Sequence, residues 1–421
     1  MIPEIEVPVE PQPEKKASVR NLPRNVWAVS LTSFFMDVSS EMVLNILPLF
    51  LANVLGVRTS VIGLIEGVAE ATSSILKLFS GWLSDRMHQR KWLAVIGYGL
   101  SAFSKPFFLF ASTWEAIAAV RWVDRVGKGI RTAPRDALIA DSIDPKQRGL
   151  AFGFHRAADT AGALVGLLIA ILVVWLAQAG SADLSEQTFR AVVVVSLIPA
   201  VLAVISLAFG AKDVTVKGQR AAPKFAFRAL GRPFMIFMVI VGIFTLGNSS
   251  DAFLVLRAQD LGVSVVGILA MVATFNLIYA LISTPAGSLS DRIGRRKLIV
   301  GGWLVYALIY LGFGLAQTGW QVWVLYALYG GYYGMAYGTA NALVADLVPA
   351  ELRGTAYGSY NAIIGLLAFP ASVIAGVLWQ GVGAWSGFGP SAPFIFGGTL
   401  ALIAAGLMAF WMPRMKKPST N

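Results

Sequence analysis

The chain has 421 residues, 56% of them hydrophobic and only 14% charged, where soluble domains carry roughly 45–50% and about 25%. Such a chain cannot cover its own surface with polar groups, so a string of soluble domains is excluded and lipid is the expected solvent. The absence of cysteine, with His88 and His155 the only histidines, removes disulfide scaffolds, thiolate metal centres and cysteine nucleophiles, and the net charge of +11 is read as cation-rich cytoplasmic loops rather than a nucleic-acid surface.

Residues 1–24 are rich in Pro, Glu and Lys, the composition of a disordered cytoplasmic tail, and no secretory signal is read in them. Stretches of the roughly 20 apolar residues needed to cross a bilayer then fall near 26–54, 60–82, 92–112, 114–140, 150–178 and 189–210. After a linker over 211–232 a second set falls near 233–257, 263–286, 298–317, 321–348, 355–379 and 393–413, before a tail at 414–421. The expectation is an all-α integral membrane protein of twelve transmembrane helices in two six-helix bundles, over 25–210 and 233–413. The first, fourth and seventh helices carry charges that a hydropathy window penalises.

Cations orient the chain. Lys15, Lys16, Arg20 and Arg24 precede the first helix, and Arg86, Arg90 and Lys91 follow the second. Lys146 and Arg148 follow the fourth, and Lys212 to Arg232 fill the linker. Arg292 to Lys297 follow the eighth, Arg353 follows the tenth, and Arg414 to Lys417 close the chain, while the opposite side offers only Arg58, Arg190 and Arg257. Both termini are therefore expected in the cytoplasm.

The halves repeat. Gly81-Trp-Leu-Ser-Asp-Arg86 recurs as Gly287-Ser-Leu-Ser-Asp-Arg292, and Leu55-Gly-Val57 as Leu261-Gly-Val263, both at an offset of 206. Arg148-Gly-Leu-Ala-Phe-Gly153 recurs as Arg353-Gly-Thr-Ala-Tyr-Gly358 at 205, and Ser39-Ser40-Glu41 is echoed by Ser249-Ser250-Asp251 at 210. Parallel repeats of this kind mark transporters whose substrate path runs between pseudo-symmetric halves.

On these residues the chain resembles the major facilitator superfamily over its whole length after the tail. The second loop copy, Gly287 to Lys297, fits that family's signature throughout, whereas the first departs at His88 and Gln89. Arg121 stands at the family's helix 4 arginine, and the run Asp124 to Asp141 looks like a bacterial subgroup of unnamed substrate. The resemblance implies alternating access around a cavity lined by helices 1, 4, 7 and 10, in a bacterial inner membrane. It also implies a gate at Gly81, Asp85, Arg86, Gly287, Asp291 and Arg292. There each carboxylate would meet the positive end of a helix from the other half, worth about 0.3–1 kcal/mol. The alternative is that these loop charges serve orientation alone.

Charges inside the membrane are the most informative residues, because each costs about 2.5–3.5 kcal/mol to insert and implies water or a partner. On helix 4, Arg121, Arg125, Lys128 and Arg135 share a stripe of roughly 80°. Arg125 falls roughly 16 Å from Trp114, near mid-membrane, and Arg135 about 31 Å away, with Arg131 and Asp136, at the cytoplasmic edge. These cations are expected to face a hydrated cavity. Arg121, Arg125 and Lys128 either grip an anionic group on a substrate or pair with acids of the chain itself.

Asp37, about 18 Å along helix 1, leads the acids expected to carry protons, with Glu41, Glu66, Glu70 and Asp124. Glu66 and Glu70 could instead simply pair with Lys77 or a helix 4 base. On helix 5, His155 is either a proton relay or a structural hydrogen-bonder, and Arg156 and Asp159 are spaced for a pair. Helix 7 offers Asn248 and Asp251. Helix 10 offers Tyr326, Tyr333 and Tyr337 on one face, with Asn341 beside them, while Gly330, Gly334 and Gly338 form a close-packing face. A basic half and an aromatic half would suit an amphipathic organic anion.

There is no phosphate-binding Gly-Lys-Ser/Thr loop, no metal-ligand spacing and no Ser/His/Asp set, so neither an enzyme nor a cofactor is expected. The expected partners are a small solute, protons and the bilayer, with a monomer as the unit. The leading expectation is secondary active transport, with proton-antiport export preferred to uptake. The alternatives are a multidrug/proton antiporter for cationic or neutral compounds and a membrane sensor of the same fold.

Overall fold

The computed structural model describes residues 19–87, 89–144, 147–178, 180–214, 230–349 and 352–411. Most of the expected tails at 1–24 and 414–421 and of the linker, together with His88, lies outside the described residues.

Twelve helical segments run through the described residues, one for each predicted stretch, and no strand occurs among them. They are α1 (Arg24–Val54) and α3 (Arg90–Leu109), α2 (Thr59–Met87), α4 (Trp114–Asp141), α5 (Arg148–Gln178) and α6 (Glu186–Gly210). The second half holds α7 (Arg232–Asp260), α8 (Val265–Ile293), α9 (Arg295–Leu315), α10 (Gly319–Leu347), α11 (Arg353–Gln380) and α12 (Ala392–Trp411). Nine among the described residues are long and apolar enough to cross a membrane by length and composition. The other three are α2, α4 and α10: of the expected first, fourth and seventh only the fourth is among them, since α1 and α7 carry their charges near breaks in long apolar stretches, while α2 and α4 carry whole charged faces.

Polar residues start several helices. Thr113 accepts a hydrogen bond from the Ala116 amide at 3.3 Å and Ser185 from the Thr188 amide at 3.2 Å, and Thr318 with Gln321 forms a capping box on α10. Each cap is worth about 1 kcal/mol. Gly381 stops α11 with φ of 71°, a turn where an added Cβ would lie 1.9 Å from the Trp385 carbonyl oxygen.

Within the first half α1 packs on α5 and α6, and α4 is wedged between α2 and α3; in the second, α10 packs on α8 and α9, and α12 on α9 and α7. The repeat read from the sequence returns as duplicated geometry. Arg90 of α3 pairs with Asp141 of α4 at 2.8 Å, and Arg295 of α9 pairs with Asp346 of α10. Arg148 Nε donates to the Ala140 carbonyl at 3.2 Å, and Arg353 Nε to the Ala345 carbonyl at 3.3 Å. Each bond therefore reappears 205 residues later, at the end of the molecule that carries the basic loops.

Two seams join the halves, α2 with α11 and α5 with α8, and they are built differently. Along α2–α11, Cβ atoms added at Gly63, Gly67 and Gly376 would stand 2.2, 2.9 and 2.5 Å from backbone oxygens of Ser372, Phe369 and Thr59. One added at Gly365 would overlap the Ser74 side chain at 2.0 Å. Backbones this close are a small-residue packing seam. The glycines of α5 are spent elsewhere: Gly162 and Gly166 abut the Phe34 and Val38 carbonyls of α1, within the same half. At the end opposite the basic loops the halves are hydrogen-bonded. Gln259 Nε2 donates to Asn53 Oδ1 at 2.7 Å and to the Ala182 carbonyl at 3.0 Å, and the Thr59 amide donates to Gln380 Oε1 at 2.7 Å. The structure is closed there.

Candidate functional site

Two glycines aim the charged stripe of α4. A Cβ on Gly127 would lie 2.6 Å from the Gly97 carbonyl of α3, and one on Gly129 would lie 2.9 Å from the Ser73 carbonyl of α2. They seat α4 against both neighbours, so Lys128 between them faces inward. Gly127 and Gly129 are thus packing residues.

The stripe lines a cavity of about 480 Å³ between the halves. Helices 1, 4, 7 and 10 contribute as expected, and α2, α8 and α11 contribute Glu66, Phe275 and Ser372 as well. Both first helices break at its level. In α1 regular helix ends at Leu44 and resumes at Leu47, with Pro48 inside the second piece. In α7 it ends at Gly247 and resumes at Ala252, leaving Asn248 to Asp251 irregular. Irregular backbone is tolerated at membrane depth where it lines a cavity.

The cations are not bare. Arg121 grips Glu66 with two bonds, Nε to Oε1 at 3.2 Å and Nη2 to Oε2 at 2.9 Å, and Asp124 lies 3.5 Å from its Nη1. Arg125 stands 3.5 Å from Glu70. Lys128 is exposed to the cavity and has no ion pair among the described residues. Arg131, expected at the membrane edge, is buried in the cavity wall with its guanidinium 4.4 Å over the Tyr98 ring, because the stripe continues past Lys128. Arg135 leaves the stripe to bind Asp136 at 2.8 Å and lines a different cavity.

Acids outnumber these four cations. Asp37, Glu41, Glu66, Glu70, Asp124 and Asp251 all line the space, so the basic half expected from the sequence is an interleaved charge network. Asp37 has neither an ion pair nor a hydrogen bond among the described residues. Glu41 accepts from Asn45 Nδ2 at 2.8 Å, and Asp251 from the Tyr329 hydroxyl at 3.1 Å. The aromatic half is present: Tyr326 and Tyr333 line the cavity with Phe275. Gly330 and Gly334 pack on Phe275 and Ile282 of α8, the role expected of them. Asn248 Oδ1 accepts from Tyr306 at 3.1 Å, which draws it partly into the wall.

Lys105 escaped the sequence reading. It ends α3, is 3% exposed, and donates to Ser39 Oγ at 2.5 Å and Ser40 Oγ at 3.2 Å on α1. A lone cation beside a proline inside an apolar stretch was the available signal.

A second cavity of about 890 Å³ opens between α5 and α8. His155, 4% exposed, lies on it with Nε2 3.5 Å from Asp159, and neither ring nitrogen has a hydrogen bond among the described residues. The structural hydrogen-bonding role expected as one alternative for His155 is thus not formed. Of the expected gate, Gly81 abuts Ala133 of α4 and Arg86 is exposed, 5.5 Å from the Trp82 ring. The side chains of Asp85, Gly287, Asp291, Arg292, Tyr337 and Asn341 lie outside the described residues.

Residues 29–369 and 236–421 match the family model described as Major Facilitator Superfamily. An uncharacterised MFS-type transporter of Methanocaldococcus jannaschii is 35% identical over 93% of this chain and 96% of its own. A multidrug resistance protein MdtG of Serratia proteamaculans is 27% identical over 74% and 76%. Among solved structures, a POT family transporter in complex with 5-aminolevulinic acid superposes with a TM-score of 0.76 at 12% identity, covering 94% of this chain and 98% of that one.

Proposed function

The chain belongs to the major facilitator superfamily, a multi-pass membrane transporter rather than an enzyme, and we propose that it moves a small organic solute bearing an anionic group by alternating access coupled to protons. The basic loops support a cytoplasmic location for their end of the molecule and for both termini; on that reading the hydrogen-bonded closure lies on the outer side and the cavity faces inward. One observation carries the substrate reading. Lys128 is presented to the cavity without a carboxylate, while Arg121 and Arg125 already hold Glu66 and Glu70. Asp37, unpaired at mid-membrane, is the first proton carrier. Gly81, Asp85, Arg86, Gly287, Asp291 and Arg292 are assigned to the cytoplasmic gate, and Tyr337 and Asn341 to substrate binding.

The sign of coupling follows from charge. An anion at Lys128 strengthens proton binding at neighbouring carboxylates, so the two travel together; a cation competes with the proton, and the two exchange. Asp251, exposed on the opposite wall and held among the described residues only by the Tyr329 hydroxyl, favours a second reading, exchange of protons for cationic compounds. The multidrug resistance relatives support it.

Proteoliposomes carrying an internal pH dye decide between them. Organic anions should carry protons inward with them, and Lys128→Gln should abolish that flux while leaving thermal stability unchanged. Outward proton movement on adding cationic drugs, insensitive to Lys128→Gln, selects the second reading. No solute-driven proton flux of either sign ends both.

A further inference from the structure

The α5–α8 cavity is larger than the central one and stands on the seam that glycines do not close. Phe152 to Leu164 of its lining occupy roughly the first 6–24 Å of α5 from the cytoplasmic end, the depth of the inner leaflet. Its mouth is apolar and turned outward: Phe152 and Leu277 line it and are both exposed. Its floor is polar. His155 is nine-tenths buried with both nitrogens unbonded, and Asp159 Oδ1 is likewise buried without a hydrogen bond. Arg156, three residues before Asp159, projects across the slot with its guanidinium 5.5 Å from the Tyr279 ring of α8. Buried polar atoms without a hydrogen bond are costly, and His155 and Asp159 both line this cavity.

The floor carries both signs within one turn, a guanidinium at Arg156 and a carboxylate at Asp159, with the His155 imidazole 3.5 Å from that carboxylate. Arg135 and Asp136, which neutralise each other, add no net charge. A purely anionic or purely cationic headgroup would meet repulsion from one of the two. A headgroup with a phosphate and an ammonium satisfies both, and a single acyl chain fills the apolar mouth. The slot adjoins the central cavity, with Asn276 and Tyr333 lining both.

We propose that the α5–α8 slot is a lateral entrance through which a single-chain zwitterionic amphiphile leaves the inner leaflet, its phosphate drawn to Arg156 and its ammonium to Asp159. This deepens the transport reading above and rests on it for the onward step, in which the phosphate passes to Lys128. The slot binds the amphiphile whether or not that step follows.

The chain has no cysteine, so Ala280→Cys places a single thiol in the slot of the full-length protein. In phosphatidylcholine nanodiscs, lysophosphatidylethanolamine should slow its reaction with a methanethiosulfonate about tenfold, the factor given by 1.4 kcal/mol of binding. Glycerophosphoethanolamine, the headgroup without a chain, should not. Lysophosphatidylglycerol, which lacks the ammonium, should protect less, and adding Asp159→Asn should erase the difference between the two lysolipids. No protection, equal protection by the free headgroup, or equal slowing at a control thiol made by Leu308→Cys on the lipid face of α9 overturns the proposal. Lys128→Gln should leave protection intact, so failure of the central-site reading shows in proton flux while failure of the slot shows in labelling.

Discussion

Arg121 of α4 and Glu66 of α2 meet through two near-parallel N–H···O bonds, of 3.2 and 2.9 Å, with the arginine 3% exposed. Breaking such a pair strands a buried charge, which costs about 3–5 kcal/mol. Glu66→Gln should therefore lower the unfolding temperature sharply in a detergent melt. Combining it with Arg121→Met should recover most of the loss, since a well-packed apolar replacement of a buried pair is often neutral. Additive losses would show that the two residues are not coupled.

The duplicated clamps should not be equally important. The side chains of Arg90 and Asp141 are 7% and 6% exposed, those of Arg295 and Asp346 27% and 37%. Asp141→Asn takes the carboxylate out of a pair whose two side chains are buried and should cost about 3–5 kcal/mol. Asp346→Asn acts on a pair open to water and should cost about 0.2–1 kcal/mol. Chemical unfolding of the two variants side by side checks the ratio; equal effects would contradict it.

Glycines separate into two classes. Gly63→Ala drives a Cβ to 2.2 Å from the Ser372 oxygen, and relieving it by moving α2 or α11 should cost about 1–3 kcal/mol. Gly153→Ala on α5 meets nothing within 4 Å and should stay within about 0.5 kcal/mol of the parent. Thermal unfolding of both variants tests the contrast.

Asp37→Asn removes the one cavity carboxylate with neither an ion pair nor a hydrogen bond among the described residues. Solute exchange without a pH gradient should persist, while accumulation driven by the gradient should fall about tenfold, the loss of some 1.4 kcal/mol of coupling. Accumulation equal to the parent's would remove Asp37 from the proton path.

What was legible in the sequence was whatever one helix or one repeat encodes. Twelve apolar stretches, the cation asymmetry and the 205–206 spacing yield the spans and the two halves, and the spacing from Arg121 to Lys128 yields a stripe on α4. Partner choice was not legible, because it depends on how neighbouring helices are rotated. Nothing in the chain order says that Glu66 takes Arg121 and Glu70 takes Arg125, or that Arg135 turns to a separate cavity. Gly127 and Gly129 set that rotation, yet in sequence they resemble an incomplete phosphate loop. Lys105 was hidden for the opposite reason: a single charge among apolar neighbours leaves the periodicity intact.

The unequal seams have a mechanical consequence. With backbones of α2 and α11 touching closely and α5 and α8 meeting more loosely around a cavity, the two halves resemble the covers of a book whose spine runs down α2 and α11. A rocking motion about that spine displaces the fore-edge most, so spin labels on α5 and α8 should register larger distance changes during the cycle than labels on α2 and α11.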